Sequence, residues 1–557
     1  MGKEIKLNRQ QQKWFKKHKH KLGAEEIAHH LNLSRREIDK LLGTKEAVTE
    51  PLVYEKYALA ALLGVAFLVL ATSWPNQFVS DDIPAILNNP LITSWSNVTL
   101  RLTGSLQNLI YFLLTNIFGI VPWPLRLMSI LFHLLTAGLL YAIVRRTQPF
   151  VVAWLASALF VLAPVTLEPV IWISGISYVL GGFMTMWCLY LHFDDQRTPY
   201  KDWLEIITWS LALITTEKFI FIPILLLIWD WRKNRLPRTG WLLAALLTIS
   251  LIRGLGLLAI LGRRVESLQA EYYNSTAGQV DSPLSKVLIA IGYYLYLYAW
   301  PKDLTLYHSE VSLGWQSLVW YGSLSLVFAL AVGLSGRRKD EWWFWGAFLV
   351  TSMIPALLPF GVSSLVAERY AYLGYAGVAV LISGLVFQVM KRKALALPIK
   401  IFVGIALMAM IGRSLNRIQD WRTADHLWLA AAKSSPHSWQ NHNNLGDVYS
   451  NQGEYQKAIQ EFSTAIDLNP RYADAIHNRA NAYLSLGETD LAKAGFQAAA
   501  EINPKLWQSR IKLAEIAVAE KNWAVAIEEV MKAQLTNKAP EIGRWLGVLE
   551  EEARKAE

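Results

Sequence analysis

Cysteine is nearly absent from this 557-residue chain. Its one cysteine, Cys188, lies within an apolar run. A single thiol excludes a disulfide framework and a metal site built from several cysteines. We therefore interpret Cys188 as a small apolar side chain in a buried position.

Charged residues are also scarce. Only 18% of the residues are charged and 53% are hydrophobic, with 24 Trp and 22 Tyr, whereas an ordinary soluble chain is about 25% charged. The chain is also longer than one soluble core usually organises. This composition predicts a membrane protein that carries a soluble domain.

The first 50 residues lack the apolar stretch of a cleavable signal peptide, so we expect the run 57–73 to act as an uncleaved anchor. Within 22–42, LGAEEIAHHLNLSRREIDKLL, apolar residues recur at helical spacing, and Ser34 with Glu37 forms a capping box. We therefore predict that residues 1–50 form a basic cytoplasmic helical cap, similar to a helix-turn-helix. DNA binding remains an alternative, but a chain tethered to a membrane favours contact between the basic run and anionic lipid headgroups.

The middle of the chain, 51–413, is a succession of apolar runs that predicts an all-α membrane domain of about eleven spans. The runs 202–214 and 218–231 are short, and we expect a broken hairpin around TTEK. The Tyr-rich run 284–300 is typical of a helix in the interface. The remaining runs are 57–73, 125–144, 149–165, 176–193, 240–261, 313–335, 342–359, 370–390 and 397–413.

The chain has a net charge of +10. Residues 1–50 contribute part of this surplus, and much of the rest lies in short basic clusters between the apolar runs. The positive-inside rule explains them more simply than nucleic-acid binding does. The clusters are RR at 145–146, RKNR at 232–235, RRK at 337–339 and KRK at 391–393. With these in the cytoplasm, the N-terminus is cytoplasmic, and the large first loop 74–124 and everything after 413 lie on the other face.

The C-terminal part contains an internal repeat. Pro436, Pro470 and Pro504 are 34 residues apart, which is the period of tetratricopeptide (TPR) repeats. We predict a linker at 414–436 and a TPR α-solenoid with a capping helix at 437–557. Such an array offers a concave surface for a protein segment.

Five segments give the chain a resemblance to the transmembrane and TPR-containing protein O-mannosyltransferases and their prokaryotic relatives. They are FVSDDIPAILNNP at 78–90, LAPVTLEPVIWISG at 162–175, LALITTEKFIFIPILLLIWD at 211–230, WPKDLTLYHS at 300–309 and VAERYAYLGYAG at 366–377. They occur in the family's order and on one predicted face of the membrane. Ala163 and Thr216 stand where the family often has His and Lys.

The resemblance implies a GT-C membrane fold and an inverting transfer of a sugar, mannose above all, from a polyprenyl-phosphate carrier to a protein hydroxyl. It implies that Asp81 is the catalytic base, Asp82 its positioning partner and Arg369 the ligand of the donor phosphate. It further implies a mechanism without a metal or another cofactor. A neighbouring carboxylate and burial would both raise the pKa of the base.

Other ionisable residues of these segments are candidates for substrate binding, because such residues at membrane depth are usually functional. They are Glu168, Glu217, Glu368, His308 and Arg126. Alternatives remain open for three positions. Arg369 could pair with Glu368 or anchor the chain at the interface, Arg126 could be an interfacial anchor, and His308 could be a loop residue.

The sequence thus predicts a multi-pass membrane glycosyltransferase, in the cell membrane of a prokaryote, whose TPR array binds the acceptor protein outside the cytoplasm. Its partners would be the lipid-linked donor, the acceptor protein and the membrane lipid. The alternatives are a non-catalytic TPR scaffold for an envelope assembly and a transporter. Large outer loops and a TPR domain argue against transport.

Overall fold

The computed structural model describes residues 53–92, 94–95, 106–268, 282–306, 308, 311, 313–335, 340–357 and 366–556, together with Gln11, Trp14, Phe15 and Leu31. Of Leu91, 259–268 and 355–357 it describes only the backbone. The predicted cap at 1–50, apart from those four residues, and the RRK cluster at 337–339 lie outside the described residues.

Helices joined by turns and loops form the described membrane part, which contains no strand in these ranges. Long apolar runs with few glycines and prolines inside them favour this outcome. In chain order the helices are α1 Val53–Ala71, α2 Leu106–Phe118, α3 Pro122–Arg145, α4 Phe150–Leu162, α5 Glu168–Ile171, α6 Ile176–His192, α7 Pro199–Thr215, α8 Ile222–Arg232, α9 Leu236–Leu268, α10 Pro283–Ala299, α11 Ser323–Ser335, α12 Asp340–Leu357, α13 Glu368–Ala371, α14 Gly374–Met390 and α15 Lys393–Asp420.

Six of the described helical segments are long and apolar enough to cross a membrane. They are Val53–Ala71, Pro122–Arg145, Ile173–His192, Leu236–Leu258, Trp315–Ser335 and Lys393–Asp420. The chain is therefore an integral membrane protein. Its total of about eleven spans stays a prediction, because several other apolar helices are shorter.

The membrane domain has two opposite ends, at which its helices begin and finish. The first, which we call the loop end, holds the segments 72–92 and 163–175. The second, the basic end, holds 145–146 and 232–235. Glu55 at the start of α1 accepts hydrogen bonds from Arg145 at the end of α3, at 3.0 and 3.1 Å. These two helices are therefore antiparallel and connect the two ends.

The predicted break around TTEK is confirmed. Helix α7 ends at Thr215, a 3₁₀ turn occupies Glu217–Phe219, and α8 begins at Ile222. At the basic end, His192 of α6 lies between Glu205 of α7, at 2.8 Å, and Asp230 of α8, at 3.1 Å. All three side chains are buried. The break therefore lies at the loop end, and both helices of the hairpin return to one ionic cluster.

Paired antiparallel helices form the C-terminal domain. They are α17 Trp439–Asn451, α18 Tyr455–Leu468, α19 Ala473–Ser485, α20 Thr489–Ile502, α21 Trp507–Ala519 and α22 Trp523–Thr536, followed by α23 Pro540–Ala556. The pairs pack closely because small residues face aromatic ones. A Cβ at Gly446 would lie 2.6 Å from the Phe462 ring. The predicted three repeats and the capping helix are thus present.

Residues 414–436, predicted as a linker, are helical. Helix α15 continues to Asp420, and α16 occupies Ala424–Ser434. Trp428 of α16 and Leu445 of α17 belong to the same hydrophobic core as the membrane helices. The TPR domain is therefore packed onto the membrane domain through this segment.

The packing of the second repeat generates a prediction. Phe496 of α20 is fully buried, and we expect Phe496→Ala to destabilise the TPR domain by about 3–5 kcal/mol through the cavity it leaves. The matched control is Leu491→Ala in the same helix, where the side chain is 51% exposed and the expected cost is within about 0.5 kcal/mol. Proteolysis of the 437–556 region over a urea series measures both. Equal urea midpoints for the two variants would contradict this packing.

Candidate functional site

Asp82 joins two loops at the loop end. Its side chain is fully buried. It accepts hydrogen bonds from the Ser174 backbone N–H at 2.8 Å, the Ser174 hydroxyl at 2.7 Å and the Val79 backbone N–H at 3.2 Å. Burial raises the pKa of Asp82 to about 6, while these hydrogen bonds act to lower it. The carboxylate therefore ties the loop after α1 to the loop before α6.

Gly175 fixes the position of the neighbouring serine. A Cβ at this glycine would lie 2.7 Å from the Pro169 Cα and 2.9 Å from its carbonyl oxygen. Only glycine allows the loop 163–175 to fold so tightly on itself. The tight fold holds Ser174 against Asp82.

Arg126 binds the backbone of the same two loops. It is buried and donates hydrogen bonds to the carbonyl oxygens of Ile171 at 2.8 Å, Ser73 at 3.1 Å, Asn76 at 2.9 Å and Gln77 at 3.2 Å. Four of its five N–H groups are thus taken up by the backbone. We therefore interpret Arg126 as a positioning residue, rather than as the interfacial anchor that the sequence left open.

Asp81 has an exposed side chain, whereas that of Asp82 is fully buried. The residue before it, Ser80, has a φ of 54°, a left-handed conformation that costs a non-glycine residue free energy and often occurs at functional sites. Partial burial of its carboxylate raises the pKa of Asp81, and the charge of Arg369 opposes that rise. The neighbouring Asp82 carboxylate, expected to add to this rise, does not contribute to it.

Two buried ion pairs lie next to each other beside these loops. Arg369 Nη1 donates to Glu168 Oε1 at 2.6 Å, and Arg417 Nη2 donates to Glu368 Oε1 at 2.9 Å. Arg369 thus pairs with Glu168, 201 residues away, and not with its sequence neighbour Glu368. Burial raises the pKa of Glu168 to about 7, with Arg369 acting to lower it and Glu368 adding to the rise.

His308 and Glu217 border this cluster. His308 Nε2 lies 3.7 Å from Glu368 Oε1, and His308 Nδ1 is 3.4 Å from the Tyr293 hydroxyl. Glu217 is partly exposed, with its carboxylate 3.7 Å from Lys218 Nζ. Lys218 in turn lies over the Tyr370 ring, 4.9 Å from its centroid.

Aromatic rings lie against the guanidinium groups of Arg369 and Arg417. Arg369 lies 5.6 Å from the ring centroid of Trp172 and 5.0 Å from that of Tyr370. Arg417 lies 5.7 Å from the Trp421 ring, which packs against Trp172. Stacking of this kind restrains a guanidinium without consuming its hydrogen-bond donors.

Several buried polar atoms of the cluster have no hydrogen-bond partner among the described residues. They are Glu168 Oε2, Glu368 Oε2, Arg417 Nε, His308 Nε2, Trp172 Nε1 and Trp421 Nε1. Buried polar atoms are almost always paired in folded proteins. Their concentration in one place indicates a site that receives a polar ligand bearing both donors and acceptors.

The structure thus brings together all eight residues selected from the sequence. Glu168, Glu368 and His308 carry unpaired polar atoms, and Arg369 binds Glu168. Asp81 lies within electrostatic range of Arg369, Glu217 lies at the border, and Asp82 and Arg126 fix the loops. Sequence reasoning missed Arg417, Trp421 and Ser174. Arg417 and Trp421 could have been suspected from RIQDW at 417–421, because charges and an aromatic residue follow an apolar run there.

Comparison with protein families identifies the C-terminal domain. Residues 446–487 match a family described as TPR repeat, and residues 473–506 match one described as tetratricopeptide repeat. The predicted TPR solenoid is therefore confirmed.

Comparison with characterised proteins confirms the predicted resemblance. The chain is 22% identical over 453 residues to a protein O-mannosyl-transferase of Caenorhabditis elegans, which covers 74% of this chain and 63% of that protein. It is 35% identical over 138 residues to a protein O-mannosyl-transferase of Drosophila melanogaster, covering 24% of this chain and 14% of the relative. This chain thus spans less than two thirds of these relatives' length.

Among solved structures, ArnT from Cupriavidus metallidurans bound to undecaprenyl phosphate is similar at 13% identity and a TM-score of 0.37, covering 81% of this chain and 80% of that one. Yeast Tom70 is similar at 11% identity and a TM-score of 0.23, covering 72% and 92%.

The buried link between the two loops generates a prediction. Ser174→Ala removes the hydroxyl donor to Asp82 and should cost about 1.5–3 kcal/mol when Asp82 is ionised. Because that donor stabilises the charged form, the pKa of Asp82 should rise above about 6. The loss of stability is then large above pH 7 and shrinks as the pH falls through 6. Thermal unfolding of the purified protein from pH 5 to pH 8 measures this loss.

Ser177→Ala is the matched control, since Ser177 is half-buried in the same region but donates no hydrogen bond to Asp82. A loss of stability for Ser174→Ala that is independent of pH would show that the hydroxyl does not act on the carboxylate.

Proposed function

We propose that this protein is an inverting glycosyltransferase that moves a sugar, mannose above all, from a polyprenyl-phosphate carrier to a hydroxyl of an acceptor protein. The observation that carries the proposal is the convergence of unpaired buried carboxylate and guanidinium atoms beside the exposed carboxylate of Asp81. The similarity to proteins named protein O-mannosyl-transferases supports the choice of reaction.

The reaction is a single displacement at the anomeric carbon. The acceptor oxygen forms the new bond to that carbon as the bond from the carbon to the phosphate oxygen breaks. The electron pair of the broken bond goes to the lipid phosphate. Asp81 takes the proton of the acceptor hydroxyl, for which a carboxylate with a raised pKa is suited.

Arg369 is the proposed ligand of the departing phosphate. Glu168 and the rings of Trp172 and Tyr370 hold its guanidinium in place. A guanidinium donates two parallel hydrogen bonds to a phosphate and stabilises its growing negative charge. Arg417, whose Nε is unpaired, is the second candidate for this contact.

The free carboxylate oxygens are proposed to bind the sugar. Glu168 Oε2 and Glu368 Oε2 can each accept a hydrogen bond from a sugar hydroxyl, and the ring nitrogen of His308 adds a further polar contact. Glu217, at the more exposed border, is placed to meet the acceptor. Asp82 and Arg126 position the loops and do not touch the substrate.

The TPR domain is proposed to bind the acceptor protein. Its inner helices carry polar side chains, and Asn478 Nδ2 of the second repeat donates to Asn443 Oδ1 of the first at 3.1 Å. The proposed topology has the N-terminus in the cytoplasm, with the TPR domain and the site on the opposite face. The basic clusters at the far helix ends support this orientation.

A non-catalytic scaffold is the second candidate function, and the TPR domain favours it. A scaffold, however, would not require buried ion pairs with unpaired oxygens. Such atoms lower the stability of the folded protein unless a ligand binds them. The convergence of these atoms therefore favours an enzyme.

Replacement of the proposed base tests the function. Asp81→Asn should lower the rate of sugar transfer from a polyprenyl-phosphate mannose by about 10²–10⁴-fold, the contribution of a general base. Because the side chain is exposed, the fold should be unaffected. Mass spectrometry of the acceptor protein measures transfer, and thermal unfolding checks the fold.

Asp195→Asn, which removes an exposed carboxylate at the basic end, is the control and should retain full activity. The resemblance further leads us to expect full activity in EDTA. Full activity of Asp81→Asn would overturn the assignment of the base, and absence of transfer in the unmodified protein with every polyprenyl-phosphate sugar would favour the scaffold.

The charge of Arg369 provides a pH prediction. The base acts only when deprotonated, so transfer should be lost as the pH falls through the pKa of Asp81. Arg369 lowers that pKa, and Arg369→Gln should therefore move the acidic limb of kcat to higher pH. Turnover at saturating donor concentration is measured from pH 4 to pH 8, with Arg392→Gln, an exposed cation at the basic end, as the control. An unmoved limb in Arg369→Gln would show that another group is the base.

A further inference from the structure

A polar cavity lies at the basic end of the membrane domain, far from the candidate site. Arg126 at the loop end and Arg146 at the basic end are separated by 20 residues along and just past α3, which is about 30 Å at 1.5 Å per residue. This distance equals the thickness of the hydrocarbon core of a bilayer. The cavity therefore lies at the opposite membrane boundary.

The cavity has a volume of about 1040 Å³, enough for a drug-sized or headgroup-sized ligand. Its wall combines charged groups with aromatic rings, including Tyr190, Phe193, Trp229 and Phe344. A wall of this kind suits a ligand with a polar head and an apolar body.

Three of the four cations on the wall already have partners. Arg145 is bound to Glu55 at 3.0 Å, Lys233 to Asp340 at 2.7 Å, and Arg235 donates to the His192 carbonyl at 2.9 Å. Their charges hold the helix ends together. They are not available to bind a ligand without loss of these contacts.

Arg146 differs from these cations. Its guanidinium lies over the Tyr190 ring, 4.2 Å from the centroid. Its charge acts on the Asp194 carboxylate, but Arg146 forms no ion pair with that or any other residue that the structure describes. Its Nη1 is buried and has no hydrogen-bond partner among those residues. An unpaired buried N–H group of a cation costs free energy that a bound anion would recover.

The acids on the wall limit the charge of that anion. Asp194 is bound to Lys201 at 2.7 Å, Glu341 accepts a hydrogen bond from Gln148, and Asp195 is exposed. The wall is thus close to neutral, which disfavours polyanions such as nucleoside triphosphates. A phosphodiester, with one negative charge and an apolar extension, fits both the unpaired Nη1 of Arg146 and the aromatic wall.

We propose that this cavity binds the headgroup phosphodiester of a membrane phospholipid, with Arg146 as the phosphate ligand and the aromatic wall against the glycerol and upper acyl region. The site does not depend on the proposed sugar transfer. It would anchor the ends of α3, α6, α8 and α12 to the lipid layer opposite the candidate active site.

Lipid retention by the full-length protein tests the proposal. The purified protein is exchanged into a detergent, titrated with phosphatidylglycerol, and examined by native mass spectrometry and thermal unfolding. We expect retention of the lipid and a rise in melting temperature. Arg146→Gln should weaken binding by about tenfold or more, the contribution of a charged hydrogen bond.

Two further variants separate charge from fold. Arg146→Lys keeps the charge but loses the planar fork, and should bind with intermediate affinity. Arg392→Gln removes an exposed cation at the same membrane boundary that does not line the cavity, and should bind like the unmodified protein. Equal binding by the unmodified protein and Arg146→Gln would overturn the proposal, as would equal losses in Arg146→Gln and Arg392→Gln.

Binding experiments with two further compounds distinguish a lipid phosphate from a soluble one. Diacylglycerol, which lacks the phosphate, should not be retained, and inorganic phosphate at 100-fold excess over the lipid should not displace phosphatidylglycerol. Retention of diacylglycerol would show that Arg146 is not the ligand contact. Displacement by inorganic phosphate would indicate a site for soluble anions instead of lipid.

Discussion

The requirement that every buried charge find a partner organises the loop end of this protein. Glu168 and Arg369 are 201 residues apart in sequence and bind each other at 2.6 Å. A buried pair of this kind adds little net stability, but loss of either partner leaves an uncompensated charge. The pair therefore fixes the loop 163–175 against the segment that begins α13, and the rest of the cluster is built around that contact.

The neighbouring contacts extend this constraint to the whole loop end. Asp82 holds Ser174, and Arg126 holds the carbonyls of the turn after α1. Asn76 Nδ2 donates to the Ile418 carbonyl at 3.0 Å, and the Gln77 N–H donates to the Arg422 carbonyl at 2.9 Å. The turn after the first helix, the second loop and the end of α15 are thus held as one unit.

This unit also links the two domains. Helix α15 carries Arg417 into the ionic cluster and leads directly into α16, whose Trp428 packs in the membrane core. An acceptor bound on the TPR domain would therefore be held at a fixed distance from the candidate site, without an intervening flexible linker. Rigid connections of this kind reduce the entropy lost when a catalytic group and its substrate are brought together.

The sequence by itself determined the elements of this protein, because their signals are local. Apolar runs predicted the membrane helices, TTEK predicted the break in the α7–α8 hairpin, and prolines at a period of 34 predicted the repeats. The segments around Asp81, Glu168 and Arg369 selected the candidate site through their resemblance to a known family, since no single one of them is specific by itself.

Only the tertiary structure decided which of these charges meet. Nothing local to VAERYAYLGYAG indicates that Arg369 turns to Glu168 while Glu368 turns to Arg417, and adjacency suggested a different pairing. Asp81 and Asp82 appear equivalent in sequence, yet one is exposed and the other is buried against Ser174. Partner choice depends on contacts between segments up to about 200 residues apart, and a local pattern carries no information about them.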